Sequence, residues 1–402
     1  MGKDFGGSTL MKSYDKFSTT RPFYKILDDF SLDKSGKIKE EIKYNINVPA
    51  LKIQNSKFIG RPEDKFETML FLPKNPHRQG EGGLRTKGLF KFSYRFVGDR
   101  WYICDLDGNS ALPAPEDLEN KIKAYVSQQN KPITYLPLIT VITVVLNAEK
   151  VLSETIESVI NQTYPNVEYI IIDGGSKDGT LEIIKKYEDY IDYWVSEPDN
   201  GIYDAMNKGI RLALGDYYVF LGSDDKLTMS WLNDGLIYIN KLLSYKDKLY
   251  IYGNIKYKRG KHRMLFKYSN ITDLSALKKE FIAPHSGSII ASNLFRRISL
   301  YDKKYKIIGD YAWVLQTLQN IYFVYIDSIQ IEMKLGGASN SPKNMKKILD
   351  EVKMIEKEFG VKISLSFKLR KIIGYLVGKL GIFHHIQFLY WRIKTLSLKR
   401  KK

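Results

Sequence analysis

Between Leu138 and Asp225 the chain alternates short runs of β-branched and bulky apolar residues with stretches whose apolar positions recur every three to four residues. The run Leu138 to Leu146 (LITVITVVL) predicts a strand buried on both faces, as in a parallel sheet. It ends at Asn147. Leu152, Ile156, Val159 and Ile160 fall on one face of a helix that must stop before Tyr164-Pro165, because proline cannot continue it. Val167 to Ile172 predicts a second strand, running into the glycine-rich turn Asp173-Gly174-Gly175-Ser176-Lys177-Asp178-Gly179-Thr180, and Leu181, Ile184 and Tyr187 mark the next helix. Tyr193 to Ser196, Ile202 to Ala213 and Tyr217 to Leu221 predict strand, helix and strand, the last delivering Gly222-Ser223-Asp224-Asp225. Beyond it the pattern predicts a helix from Met229 to Leu243, a strand from Leu249 to Tyr252, a hairpin turning at Arg259-Gly260, and a strand from Ile321 to Ile326. An amphipathic helix follows from Lys343 to Phe359, with Met345, Ile348, Leu349, Val352 and Ile355 on one side. The fold class is α/β, a mostly parallel central sheet flanked by helices.

Residues 1–136 read differently. Phe90, Phe92, Tyr94 and Phe96 alternate with Leu89, Lys91, Ser93 and Arg95, which predicts a strand with one buried face, and Gly98-Asp99 turns it into a second strand from Arg100 to Leu106. This is a small β-rich module whose aromatics serve either as its core or as a sugar-stacking platform. A helix from Glu116 to Gln128 and the two-proline linker Asn130 to Pro137 close it. The expected units are therefore 1–136, 137–340 and 341–402. Gly80 to Gly88 is glycine-rich and basic but lacks the Lys-Ser/Thr of a phosphate-cradling loop, so it reads as a solvated loop. Asp105 to Asn109 with Glu116 has carboxylates spaced somewhat like a calcium loop, yet Ser110 stands where the turn needs glycine and a strand precedes it.

Charge narrows the picture. Lys and Arg outnumber Asp and Glu by 63 to 45, a net charge of +18, and the stretch Val361 to Lys402 holds eleven basic residues and no acidic one. That stretch interleaves its cations with Leu369, Ile372, Ile373, Leu376, Phe383, Phe388, Leu389, Trp391 and Ile393, which suits a basic amphipathic helix lying on an anionic membrane surface, or else one packed on the domain with a solvated face. Its longest charge-free run, Leu380 to Trp391, is too short to span a bilayer. A nucleic-acid-binding protein would carry its excess charge on a defined module, not in an apolar tail, so no nucleic-acid partner is expected. The single cysteine, Cys104, excludes an intrachain disulfide and fits a reducing compartment. The first residues lack the apolar core of a signal peptide and the pattern for myristoylation. The expected location is cytoplasmic, peripheral on the inner face of the cell membrane.

Polar residues at strand ends of an open α/β sheet point into the crevice where ligands bind. Here they are Asn147, Asp173 and the pair Asp224/Asp225. Two adjacent carboxylates are costly unless a cation bridges them or a hydroxyl donates to one. A hard divalent ion, Mn2+ or Mg2+, held between a carboxylate and diphosphate oxygens would supply that compensation. The series VLNAEKVLSETIESVINQTYPNVEYIIIDGGSKDGT followed by SEPDNGIYDAMNKGIRLALGDYYVFLGSDD resembles the family 2 glycosyltransferases, which have the nucleotide-sugar-binding GT-A fold. The resemblance covers about Pro137 to Gly337. It implies inverting transfer of a sugar from a nucleoside diphosphate sugar, a UDP-sugar in the favoured case, to a glycan or lipid-linked acceptor in bacterial surface-polysaccharide assembly such as O-antigen or capsule.

By position, the resemblance implies that Asp173, with Asn147, Gly174 and Ser176 around it, meets the donor's nucleobase end, that Asp224 meets its ribose or sugar, and that Asp225 meets the metal. The family's D-x-D is Ser223-Asp224-Asp225 here, without the first carboxylate. Asp199 and Lys208 belong to the stretch that lines the donor site in the family, although the residues alone read as turn chemistry and an Asp204–Lys208 pair one helical turn apart. His285 matches an acceptor-side strand, while a lone histidine among small residues is otherwise structural. Asp310 either caps the helix it begins or, as the resemblance implies, is the base that takes the acceptor hydroxyl's proton. Family members commonly show Glu-Asp there; this chain has Gly309-Asp310. Gly336-Gly337-Ala338-Ser339 is either a plain turn or a loop beside the donor diphosphate. A processive synthase is disfavoured, because its Gln-x-x-Arg-Trp has only Gln387-Phe388-Leu389-Tyr390-Trp391 to match it. A catalytically inert sugar- or nucleic-acid-binding protein is the alternative.

Overall fold

The computed structural model describes residues 24–25, 68–104, 110–259, 262–280, 282–334, 341–369 and 372. The calcium-like stretch Asp105 to Asn109, the turn at Gly260, the Gly336 to Ser339 turn and most of the basic tail lie outside the described residues.

The β-branched run forms strand Ile139–Val145, and it sits at the middle of a ten-stranded mixed sheet. On one side it pairs in parallel with Val167–Asp173, which pairs in parallel with Tyr193–Ser196; on the other it pairs in parallel with Tyr217–Gly222. Beyond Tyr217–Gly222 the short strand Ile289–Ala291 runs antiparallel, followed by Leu249–Arg259, Tyr322–Lys334 and the edge strand Lys226–Leu227. Leu249–Arg259 also forms an antiparallel hairpin with His262–Phe266. Two strands are much longer than their apolar cores predict. Leu249–Arg259 and Tyr322–Lys334 run on past Tyr252 and Ile326 as partly exposed ladders that alternate apolar and polar residues, and a parallel pairing through Lys258 and Lys334 keeps them extended.

Helices Leu152–Ile160, Thr180–Lys186, Ile202–Leu212, Trp231–Lys241 and Gly309–Thr317 follow the predicted order, and helix Met345–Phe359 closes the described core. Its stripe Met345, Ile348, Val352 and Ile355 is buried in the same hydrophobic cluster as the sheet.

The segment before residue 137 is joined to the large sheet. Gly80–Gly82 is an antiparallel edge strand on Tyr193–Ser196, and Leu84–Lys87 is a short 3-10 helix with Leu84, Arg85 and Thr86 buried. The expected solvated loop is thus an edge-covering strand and turn. Arg85 explains why: its guanidinium donates to Glu168 at 2.6 Å and to the carbonyls of Leu70 and Leu212. The single strand expected from Leu89 to Phe96 is broken into Leu89–Phe90 and Tyr94–Val97. Both of its faces are covered, because Lys91 reaches Asp192 at 2.8 Å and Ser93 donates to Asp216. Phe90, Phe92 and Tyr94 are buried as core. Tyr94–Val97 pairs with Arg100–Cys104 as the predicted hairpin, in a four-stranded sheet with Ser110–Pro113 and Tyr135–Leu136.

Candidate active site

Two strand ends and the turn between them build the first half of the site. Asn147 follows strand Ile139–Val145 with φ 52°, a left-handed conformation that asparagine tolerates. Its N–H donates to Ser176 Oγ at 2.8 Å, and its Oδ1 accepts from the Lys177 N–H at 2.9 Å. Asp173 ends the next strand and is wholly buried. Its carboxylate accepts the Ser176 N–H at 3.0 Å, the Ser176 hydroxyl, and the Ser196 hydroxyl at 2.5 Å. Asp173 therefore holds the turn in shape, and the partly exposed backbone of Gly174 and Gly175 is what the turn presents. Gly174 is closely approached: a Cβ there would lie 2.4 Å from Asp199 Oδ2, so that carboxylate would have to shift. Asp199 accepts the Gly201 N–H at 2.8 Å, and burial pushes its carboxyl above the usual range. Asn147, Asp173, Gly174, Ser176 and Asp199 thus form one connected cluster.

Lys208 does not pair with Asp204. Its ammonium donates to Glu197 Oε1 at 2.8 Å and to the Pro198 carbonyl at 2.9 Å, while Asp204 accepts the Asn200 N–H at 3.0 Å and faces Lys303 at 3.2 Å. The i,i+4 pair loses because Glu197 is buried and also held by Arg78, so two cations converge on it. Burial raises the Glu197 carboxyl, but Lys208 and Arg78 outweigh it and hold it below the usual range.

The second half centres on Asp225. Strand Tyr217–Gly222 delivers it, its N–H bonds the Gly222 carbonyl at 3.1 Å, and Thr155 Oγ lies 2.8 Å from both the Ser223 and Asp225 carbonyls. Only 5% of the residue is exposed. Oδ2 accepts from Ser286 Oγ at 2.8 Å; Oδ1 is buried with no hydrogen-bond partner. Burial, and then the charge of Asp224, push the Asp225 carboxyl up to about 7. An orphaned buried carboxylate oxygen is costly, and a cation would satisfy it. Among the described residues no three His, Cys, Asp or Glu side chains cluster as metal ligands. Asp225, with Asp224 beside it, would fit a hard divalent ion whose other ligands come from a bound diphosphate and water.

Asp310 lies in the first turn of helix Gly309–Thr317. Its Oδ1 accepts the Tyr311 N–H at 2.9 Å and lies 3.1 Å from the Tyr203 hydroxyl, which is also 2.9 Å from the Ile307 carbonyl. Tyr203 has one proton for two acceptors, so an ionised Asp310 claims it. Burial pushes the Asp310 carboxyl up to about 6. The missing Glu at position 309 has a local cause, since a Cβ there would meet the Tyr203 ring at 2.7 Å.

His285 stands beside Ser286 and is buried in an aromatic cluster. It stacks on Phe220 with ring centroids 5.1 Å apart, and its Nε2 lies 2.5 Å from the Tyr301 hydroxyl. Burial lowers its pKa to about 3, so it is neutral. Tyr301 packs on Tyr203 at 5.3 Å, which completes a run of contacts from Asp225 through Ser286, His285, Tyr301 and Tyr203 to Asp310. The Asp199-Asn200 turn joins the same run, because Lys306 Nζ donates to the Asn200 carbonyl at 2.9 Å.

Tyr203, Ser286, Tyr301 and Glu351 complete the site and carry little sequence signal. Glu351 accepts the N–H groups of Lys306, Ile307 and Ile308 at 2.7, 3.1 and 2.9 Å, fixing the segment that enters the Asp310 helix. Its trace in the sequence is a glutamate three residues after Ile348 and four before Ile355, inside the apolar stripe of its helix.

The family profile described as Glycosyl transferase family 2 matches residues 140–299. An uncharacterised glycosyltransferase of Rickettsia typhi is 32% identical over 223 residues, covering 53% of this chain and 70% of its own. A PGL/p-HBAD biosynthesis glycosyltransferase of Mycobacterium tuberculosis is 26% identical over 240 residues, covering 58% of this chain and 86% of its own. Among solved structures, S. aureus TarS 1-349 in complex with UDP-GlcNAc superposes with a TM-score of 0.42 and 16% identity, covering 59% of this chain and 71% of that one. In another TarS structure the match covers 42% of that chain. The mannosyltransferase PcManGT of Pyrobaculum calidifontis, in complex with GDP-Man and Mn2+, gives a TM-score of 0.44 and 14% identity, covering 63% of this chain and 74% of that one.

Proposed function

The chain belongs to the family 2 glycosyltransferases, and from that premise we propose that it inverts the anomeric centre of a nucleoside diphosphate sugar as it passes the sugar to a glycan or lipid-linked acceptor of a bacterial surface polysaccharide. A UDP-sugar is the favoured donor. The observation that carries the reading is the buried Asp225 carboxylate with one oxygen lacking a partner, a short run of contacts from the partly exposed Asp310. The turn shaped by Asp173, Asn147 and Ser176 receives the nucleobase end of the donor, and Asp199 and Lys208 line the wall between that turn and the Asp310 segment. Asp224 meets the ribose or sugar. Asp225, with Asp224, would hold Mn2+ or Mg2+, which would supply charge neutralisation for a diphosphate leaving group. Asp310, ionised above about pH 6, takes the proton of the acceptor hydroxyl as that oxygen attacks. Tyr203 fixes the direction of its lone pairs. His285, neutral and packed on Phe220, keeps Ser286 against Asp225 on the acceptor side.

Among the described residues no helix is long and apolar enough to cross a membrane. Residues 365–369 are helical, and Leu365, Leu369 and Ile372 are 69, 46 and 40% exposed on one side of the first turns of the basic stretch. This supports docking of the C-terminal region on an anionic cytoplasmic membrane surface. Co-sedimentation with anionic and neutral vesicles, with and without residues 365–402, tests it; equal binding to both vesicle types would sink it.

The test of the transferase reading is release of nucleoside diphosphate from a panel of UDP-, GDP- and dTDP-sugars, with Mn2+ or EDTA, for the wild type, Asp225→Ala and Asp310→Ala. One donor turned over only with metal, with both variants inactive and Asp310→Ala still binding nucleotide, is the expected result. Absence of nucleotide binding under every metal condition would overturn the reading.

A further inference from the structure

The long ladder beside Asp225 carries two adjacent rows of charged side chains on one face. In the first, Lys226, Glu332 and Lys256 are neighbours across three strands, with signs alternating and Lys256 paired to Glu332. In the next, two residues further along, Lys334, Lys258 and Arg263 are neighbours across strands Tyr322–Lys334, Leu249–Arg259 and His262–Phe266. All three are cations. Like charges directly opposite each other weaken a sheet, and the first row shows that the same face uses alternating charge where pairing is all that is needed. Among the described residues the one carboxylate ion-paired with the second row is Glu154, which Lys226 already holds at 2.6 Å while Lys334 stands at 3.8 Å; Glu332 in the first row is taken by Lys256, and Asp225 lies near the Lys334 end. No described carboxylate pairs with Lys258 or Arg263, and Arg263 is exposed.

The row's place in the fold says what it would meet. Glu154 precedes Thr155, whose hydroxyl binds the Ser223 and Asp225 carbonyls, so the Lys334 end of the row adjoins the Asp224/Asp225 loop. The turn at Asp173 lies on the other side of that loop. Strand Leu249–Arg259 stands four places along the sheet from Val167–Asp173, ~19 Å away at the usual strand spacing. A donor laid from the Asp173 turn to Asp225 would reach no further than the Lys334 end of the row, which leaves Lys258 and Arg263 to another group. Across two strand spacings, ~10 Å, the three cations exceed what one carboxylate neutralises and suit a group with several phosphate charges, which Arg263 can grip with two N–H groups.

We propose that Lys334, Lys258 and Arg263 form an acceptor subsite for a phosphate-bearing group, either the diphosphate of a lipid carrier or the phosphodiesters of a polyol-phosphate chain. This rests on the transferase reading above for the direction of the donor. It is tested by direct titration calorimetry of the full chain, which needs no turnover, so a failed titration and a failed donor assay are separate results. The probes are inorganic tripolyphosphate, a glycerol-phosphate oligomer, a prenyl diphosphate in detergent micelles, and an oligogalacturonate of matched charge. The wild type is expected to bind tripolyphosphate and one of the two phosphate acceptors at least tenfold more tightly than Lys258→Gln/Arg263→Gln, with melting curves showing that the variant is folded. Which acceptor responds identifies the source. Equal binding of tripolyphosphate by the variant, displacement of tripolyphosphate by UDP, or equal affinity for oligogalacturonate would each overturn the proposal.

Discussion

At Asp310 burial and two neighbours set what one carboxylate can do. Burial raises its proton affinity to about 6, while the Tyr311 N–H and the Tyr203 hydroxyl act in the opposite direction by stabilising the ionised form. A base must be ionised, so kcat is expected to rise with pH through about 6 and level off above it. Tyr203→Phe removes a donor to the charged form, so the acid limb should move to higher pH; a limb that stays in place would show that the hydroxyl spends its proton on the Ile307 carbonyl instead. Asp310→Asn should cost kcat about 10²- to 10⁴-fold with donor affinity retained. At the preceding position, Gly309→Ala would press a methyl group into the Tyr203 ring at 2.7 Å. Overpacking of that kind costs roughly 1–3 kcal/mol, read as a lowered denaturant midpoint with the slope unchanged. At Asp225, Mn2+ should raise the melting temperature of the wild type and leave Asp225→Asn unmoved. An equal rise in both would remove this residue from the metal site.

Elements explain why part of the site could be read from the chain and part could not. Strand and helix order from Ile139 to Gly222 follows directly from apolar period, and Asn147, Asp173 and Asp224/Asp225 stand at the C-terminal ends of those strands, at the crevice of an open α/β sheet. What periodicity cannot give is which polar group each of these residues meets. Lys208 sits one turn from Asp204, yet it turns to the buried Glu197, while the partly buried Asp204 takes Lys303 and the Asn200 N–H instead. Strand lengths were also hidden, since Gly253-Asn254 and Asp327-Ser328 interrupt the apolar runs, although Ile255 and Tyr257, and Ile329, Ile331 and Met333, alternate with polar residues beyond them and the two halves pair with each other. Glu351 shows the same limit from the side of a helix: amphipathic reading assigns its stripe to core packing, whereas the glutamate within it binds three successive N–H groups of another segment. Glu351→Ala would leave those groups without an acceptor, a loss on the order of 3 kcal/mol. Because they lead into the Asp310 helix, kcat should fall more than donor affinity does. A stability loss with kcat intact would make the contact one of folding alone.

For the molecule as a whole the question is where the transferase unit begins. Sequence places the change of pattern at the two-proline linker before Pro137, and the alternating strands and helices follow that linker, with strand Gly80–Gly82 of the same sheet lying before it. Yet Leu70 through Leu136 contribute buried side chains to the same hydrophobic cluster that runs to Ile363. Strand Gly80–Gly82 covers the backbone edge of Tyr193–Ser196, which would otherwise stand open for pairing with another chain. Two buried ion pairs cross the linker boundary, Arg85 with Glu168 at 2.6 Å and Lys91 with Asp192 at 2.8 Å, and the carboxylate partner of each lies in the large sheet or beside it. Leaving one member of a buried pair alone costs about 3–5 kcal/mol. Two such losses, with an apolar edge exposed as well, approach the whole stability of an ordinary domain, about 5–15 kcal/mol. A chain beginning at Leu136 is therefore expected to be insoluble or rapidly degraded by protease. Glu168→Gln/Asp192→Asn within that shortened chain should recover part of the solubility, because the stranded charges are then gone while the open edge remains. If the shortened chain instead melts cooperatively and binds nucleotide as the full chain does, the two ion pairs serve only to dock the N-terminal segment onto a sheet that stands without it.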